Sequence, residues 1–249
     1  AYRQQLQGVE IIVDTYLLEH DLAADGRFTD RYLPGLVDYY ANNGAKTASY
    51  PLLYGIPGTR IAGVFRRMRA SQTLFLPFEL YAGWTDVARA LWQSLSATST
   101  RVPLAAAEPA LPLDLRPVVE WHQPVTAMRA LVALVLARVP SRLAAAGIRP
   151  RRVIEWYENQ PVDKASHIGF SALAPAAQII AVRQYPPAPN WPSLYTTTAE
   201  VKSGAAPREN WVCGSAAVSN MAIYDAVGSY RVVPALRYAH LHRSHARAN

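Results

Sequence analysis

The sequence predicts an α/β fold, a parallel sheet covered by helices on both faces, on three observations. Short apolar runs rich in β-branched residues, such as 9–13, 153–156 and 179–182, recur between polar or turn-forming residues. Stretches with apolar residues at helical spacing alternate with them. Finally, 51% of the 249 residues are hydrophobic and 17% charged, enough apolar surface to bury a sheet on two sides.

Taken in order, "GVEIIVDTYL" holds a buried strand over 9–13 that ends at Asp14. "FTDRYLPGLVDYYANNG" has helical spacing (Tyr32, Leu36, Tyr39 or Tyr40) and a C-cap at Asn42-Asn43-Gly44. "SYPLLYGIPGTR" is strand and turn. "TLFLPFELY" is extended and leads to a helix around "TDVARALWQSL", with Thr85 as N-cap. Residues 98–117, rich in Ala, Pro, Ser and Thr, form a surface connection. The pattern over 118–147 is helical, broken at Pro124 and Pro140. Its apolar stretch 125–139 contains Arg129 and Arg138 and is too short to span a bilayer; a buried helix is favoured over one lying on a membrane surface. "RRVIEWYE" is a strand, and "PVDKASHIGFSAL" a helix with Val162, Ala165, Gly169 and Leu173 on one face. "AQIIAVRQY", "ENWVCGS" and "SYRVVPALRY" supply further strands, and the proline-rich "YPPAPNWPS" is a loop.

A net charge of +7 suits phosphate-bearing ligands, an anionic membrane face or nucleic acid. Basic-aromatic RNA-binding signatures are missing, which removes nucleic acid as a partner. The single cysteine, Cys213, permits no internal disulfide, packs in an apolar strand and points to a reducing cytoplasm. His240, His242 and His245 cluster near the chain end without a nearby Cys, Asp or Glu, as in a solvated tail, so no metal is expected. "YGIPGTR" lacks both the phosphate-loop lysine and the dinucleotide fingerprint, and no G-x-S-x-G occurs. His122 and His167 fall in helical patterns and read as structural. Trp156, Trp191 and Trp211 offer rings for stacking on sugars, and burial explains at least two of them equally well.

The most informative stretch is "EWYENQPVDKA", 155–165, where a strand gives way to a helix at about Pro161. In parallel α/β sheets ligands bind where strands end and helices begin, and Asp14 and Glu158 both fall at such ends. A helix N-terminus stabilises an ionised carboxylate, which suits Glu158 to general-base or nucleophile chemistry. Asn159 or Gln160 caps the helix, and their amides match sugar hydroxyls. The plainer alternative is that Glu158 caps backbone amides while Asn159 and Gln160 shape the turn.

"EWYENQPVDKASHIGF", "PSLYTTTAEVKSGAAPRENWVCGS" and "YRVVPALRYAHL", with "VEIIVDTYL" and "LFLPFELY", resemble bacterial surface-carbohydrate biosynthesis proteins. These are glycosyltransferases of the two-Rossmann-domain (GT-B) type, related to Kdo and other capsule or O-antigen (lipopolysaccharide) sugar transferases. The resemblance implies a Rossmann-like N-terminal, acceptor-side domain over 1–215. It makes 216–249 a linker into a C-terminal donor domain that is missing or truncated here. It also implies transfer from a nucleotide sugar to a glycan or lipid-linked glycan, without a cofactor, in the cytoplasm or peripherally at the inner membrane. Carried over residue by residue, Glu158 is the catalytic carboxylate and Asp14 a second acid or base. Asn159, Gln160 and Lys164 line the same pocket, and Glu200 and Lys202 face the cleft. Arg237 offers its guanidinium to a sugar carboxylate or phosphate. For Lys202 and Arg237 a solvated surface charge is an equal alternative. The rivals are a carbohydrate-binding or scaffold domain without catalysis, and a sugar-nucleotide hydrolase or epimerase.

Overall fold

The computed structural model describes residues 2–99, 130–185 and 192–238. Seven strands form one sheet: β1 (Ile11–Leu17), β2 (Thr47–Leu53), β3 (Leu74–Phe75), β4 (Arg152–Trp156), β5 (Gln178–Arg183), β6 (Glu209–Cys213) and β7 (Ser229–Val233). Their order is β3-β2-β1-β4-β5-β6-β7 and every pairing is parallel. The chain therefore winds outward from β1 to one edge, returns to β4, and winds to the other. Such a doubly wound, Rossmann-like sheet opens a crevice where the winding reverses, between β1 and β4.

The helices are α1 (Tyr2–Gln5), α2 (Leu36–Asn42), α3 (Gly58–Ala70), α4 (Trp84–Ser99), α5 (Leu131–Leu136), α6 (Val139–Ala145), α7 (Pro161–Leu173), α8 (Thr198–Lys202) and α9 (Ser215–Ala222). The strand period of two sorts the core into two layers. Ile12, Ala48, Tyr50 and Val153 face Leu136, Val139, Leu143, Ala165 and Phe170 of α5, α6 and α7. Ile11, Val13, Ile154 and Trp156 face Leu33, Leu36 and Val37 at α2, and Leu17 and Phe75 meet Val64 and Met68 of α3. Gly169 lets α7 approach the α5–α6 junction closely, since a Cβ there would lie 2.6 Å from the Ala137 carbonyl oxygen.

Several expectations are corrected. β1 does not stop at Asp14. It pairs with β2 through Leu17, because Thr15 and Leu17 are buried and continue the ladder. α4 begins at Trp84, and its start is held by Asp86, whose Oδ2 accepts the Gly83 N–H at 3.0 Å, so Thr85 is not the cap. α7 spans the expected residues, yet the side it buries carries Asp163, Ser166, His167 and Phe170 beside Ala165 and Gly169; Val162 and Leu173 are only half-buried. The boundary expected at 215 falls inside the last crossover, because α9 leads into β7, which hydrogen-bonds to β6 in the same sheet. Expectations for 100–129, including Pro124 and His122, and for Trp191 and the 240–245 histidines lie outside the described residues.

Candidate functional site at the sheet switch point

β4 ends at Trp156, and the chain turns through Tyr157, Glu158 and Asn159 before α7 begins at Pro161. Asn159 makes this turn with φ +60, the left-handed region that asparagine tolerates better than most residues. Its side-chain amide donates to the carbonyls of Ser193 (3.1 Å) and Tyr195 (2.8 Å), pinning the 192–195 segment to the turn. Gln160 is the N-cap residue, in extended conformation. The carboxylate that satisfies the turn comes from Asp163, whose Oδ2 accepts the N–H of Glu158 at 2.8 Å and of Gln160 at 3.0 Å.

Glu158 is thereby freed from capping. Its Oε1 accepts the Trp156 indole N–H at 2.9 Å and its Oε2 the Gln160 side-chain amide at 2.8 Å. It is half-buried and lines a cleft of about 290 Å³ together with Gln160, Tyr16, Tyr32, Tyr54 and Tyr185. The aromatic wall is continuous: ring centroids lie 5.7 Å apart for Tyr16–Tyr32, 6.1 Å for Tyr16–Tyr54, 4.8 Å for Tyr32–Trp156 and 5.6 Å for Trp156–Tyr185. Arg237 reaches the same place from the segment after β7. Its guanidinium lies over the rings of Tyr185 (4.6 Å), Tyr32 (5.1 Å) and Trp156 (5.6 Å) and donates to the Tyr185 hydroxyl.

Behind this wall, on the face under α7, lies a row of polar residues in register: Tyr50 on β2, Asp14 on β1 and Glu155 on β4. Asp14 keeps some accessible surface, which opens on a narrow crevice shared with Tyr50, Asp163 and Ser166 rather than on the cleft. Burial first, and then the neighbouring Glu155 carboxylate, holds the Asp14 carboxyl well above its ordinary range. Glu155 is fully buried, neither of its oxygens has a hydrogen-bond partner among the described residues, and burial drives its carboxyl well up too. His167 Nδ1 approaches Glu155 Oε2 at 3.7 Å, but burial pushes His167 down to about 4, so the imidazole is held uncharged and the contact is not an ion pair. Asp163 is raised to about 6 by burial, against the pull of the two N–H groups it accepts. Tyr16, raised by burial and then by Asp163 and Asp14, stays a neutral donor beside the Asp163 carboxylate, 3.4 Å away.

The site residues expected from sequence therefore divide. Glu158 and Gln160 line the cleft and Arg237 stacks on its wall, whereas Asp14 lies in the crevice behind. Asn159 is committed to backbone carbonyls. Lys164 and Glu200 pair with each other, and Glu200 also accepts the Thr197 N–H at 2.8 Å as the cap of α8. Neither lines the cleft, and nor does Lys202, which is exposed at the end of α8. The four tyrosines, Asp163 and Glu155 were not anticipated. Only Asp163 had a legible signal, an acid three residues after the N-cap. Among the described residues, no three His, Cys, Asp or Glu side chains are placed to hold a metal ion, and no helix is long and apolar enough to cross a membrane. No protein-family model, no curated protein and no solved structure matches this chain. Fold and site together define a doubly wound α/β domain with an aromatic, carboxylate-bearing cleft at its switch point.

Proposed function

We propose that the cleft holds a sugar and that the domain is the acceptor side of a glycosyltransferase of surface-polysaccharide assembly, with Glu158 as its catalytic carboxylate. One observation carries this reading: Glu158 opens into a cleft at the carboxyl edge of the sheet walled by four tyrosines. Aromatic faces stack on the C–H faces of a pyranose. The Gln160 amide and the Glu158 carboxylate are the complementary partners for its hydroxyls.

In the reaction, Glu158 takes the proton of the acceptor hydroxyl as that oxygen bonds to the anomeric carbon of a nucleotide-activated sugar. The bond from that carbon to the nucleotide's phosphate oxygen breaks, and the nucleotide leaves with the electron pair. Donor, acceptor glycan or lipid-linked glycan, and a cytoplasmic site at the inner membrane face all belong to this proposal. The test is transfer from a panel of nucleotide sugars by the full-length protein. Glu158→Gln is expected to lower turnover by about 10²-fold or more while acceptor binding persists; unchanged transfer removes Glu158 from the mechanism.

A second reading rests on the hydrogen bonds that already occupy both Glu158 oxygens, an arrangement suited to a fixed binding surface. Saturable glycan binding with no turnover for any donor selects a carbohydrate-binding domain instead.

A further inference from the structure

α4 carries two tryptophans that stand in solvent, Trp84 at 89% exposure and Trp92 at 72%. Positions 84, 88, 91 and 92 recur on one side of a helix, so Trp84, Ala88, Leu91 and Trp92 make a single exposed apolar stripe. The opposite side, with Asp86, Ala90 and Ser94, is buried, and α5 packs alongside with Val132 exposed at 45%. The apolar stretch 125–139, read in sequence as a buried helix, belongs to the core over its described part, where Ala133, Val135, Leu136 and Val139 are buried.

The edge of the stripe is basic. Arg89 is exposed on α4 itself. Arg138 donates to Gln93 Oε1 at 2.9 Å, and Arg142 to Thr85 Oγ1 at 3.2 Å, which places two more guanidinium groups against the polar side of the helix. Asp86 pairs with Arg142 at 2.9 Å. Among the described residues, Arg89 and Arg138 have no carboxylate within ion-pair distance.

We propose that this face of α4 docks on an anionic lipid bilayer. The indoles seat at the headgroup boundary, where amphipathic aromatic rings concentrate, and the arginines meet lipid phosphates. A second copy of the chain is a poorer occupant, because two-fold pairing through the stripe brings the arginines of both copies together. The net charge of +7 favours the same partner. The inference stands apart from whatever the cleft binds.

The experiment is co-sedimentation of the purified chain with vesicles of phosphatidylglycerol and phosphatidylcholine in about equal parts, against phosphatidylcholine alone. Binding to the anionic vesicles is expected, weakened by added salt, with a blue shift in tryptophan emission. The Trp84→Ser/Trp92→Ser double variant is expected to bind roughly tenfold more weakly per indole removed. Its melting curve stays unchanged, because both side chains are already solvated. Arg89→Glu weakens binding with the fold intact. Four results overturn the proposal: a chain that stays in the supernatant, a double variant that binds like the wild type, equal binding to both vesicle types, or a concentration-dependent dimer that the double variant dissolves.

Discussion

Asp163 reaches back from the first turn of α7 and accepts the backbone N–H of Glu158 at 2.8 Å, so the residue that fixes the candidate carboxylate lies five positions after it. The same oxygen holds the N–H of Gln160, whose side chain in turn donates to Glu158. Helix start and cleft are one hydrogen-bonded unit.

Removing that acceptor therefore acts on both. Asp163→Ala is expected to cost about 1–2 kcal/mol of stability, the scale of a lost helix cap, and to weaken saccharide binding in the cleft. Asp163→Asn keeps one acceptor oxygen and restores most of both. Thermal unfolding and titration with oligosaccharides, run on the same samples, check the pairing of the two effects. Saccharide binding unchanged in the alanine variant would separate the cap from the cleft.

Glu155 makes a pH-dependent prediction. Its carboxyl is driven well above the ordinary 4.5 by burial, then by the Asp163 charge. The folded protein thus holds this proton more tightly than the unfolded chain. The resulting stability is complete below about 4.5 and is lost as pH rises through the folded value. Glu155→Gln carries no such loss. It is expected to match the wild type near pH 4 and to become progressively more stable than it at higher pH, as read by urea unfolding across that range. His167 has the opposite sign: lowered from 6.5 to about 4, it withdraws stability as pH falls through that interval. His167→Asn is therefore expected to flatten the acid side of the profile.

Element types were largely legible because apolar period and turn chemistry report local structure: α7 runs over the residues its pattern indicated, and β4, β5, β6 and β7 lie within the stretches read as strands. The end of β1 was not legible. A single Asp14 in a β-branched run looks like a strand terminus, and only the neighbouring Tyr50 and Glu155 show it to be one member of a buried polar row. The cleft wall was invisible for a different reason. Tyr16, Tyr32, Tyr54 and Tyr185 come from four distant segments that meet only through the winding of the sheet. Glu200 was misplaced although its signal was local, since Thr197 and Glu200 form a capping box at α8.

Asn159 combines two burdens that substitutions separate. It is the only described non-glycine residue with positive φ, and its amide clamps the Ser193 and Tyr195 carbonyls. Asn159→Gly keeps the backbone comfortable but loses the clamp, at a cost of about 1–2 kcal/mol. Asn159→Ala loses the clamp and adds about 1–2 kcal/mol of left-handed strain. Melting midpoints should therefore fall in the order wild type, glycine, alanine. An alanine variant as stable as the glycine variant would mean that the turn relaxes out of the left-handed region.

Gly169 tests the packing on which this arrangement rests. In an isolated helix, replacing glycine by alanine adds about 1 kcal/mol of stability. Here the new Cβ would lie 2.6 Å from the Ala137 carbonyl oxygen and 2.9 Å from Pro140 Cγ, and the first of these is backbone that cannot swing aside. Overpacking of this kind costs about 1–3 kcal/mol, so Gly169→Ala is expected to lower the melting temperature despite the better helix former. Because α7 also carries Asp163, pushing the helix off the α5–α6 junction should disturb the Glu158 turn and weaken saccharide binding in step. A melting temperature that rises, with binding intact, would show the junction yielding and α7 free to shift without moving the cleft.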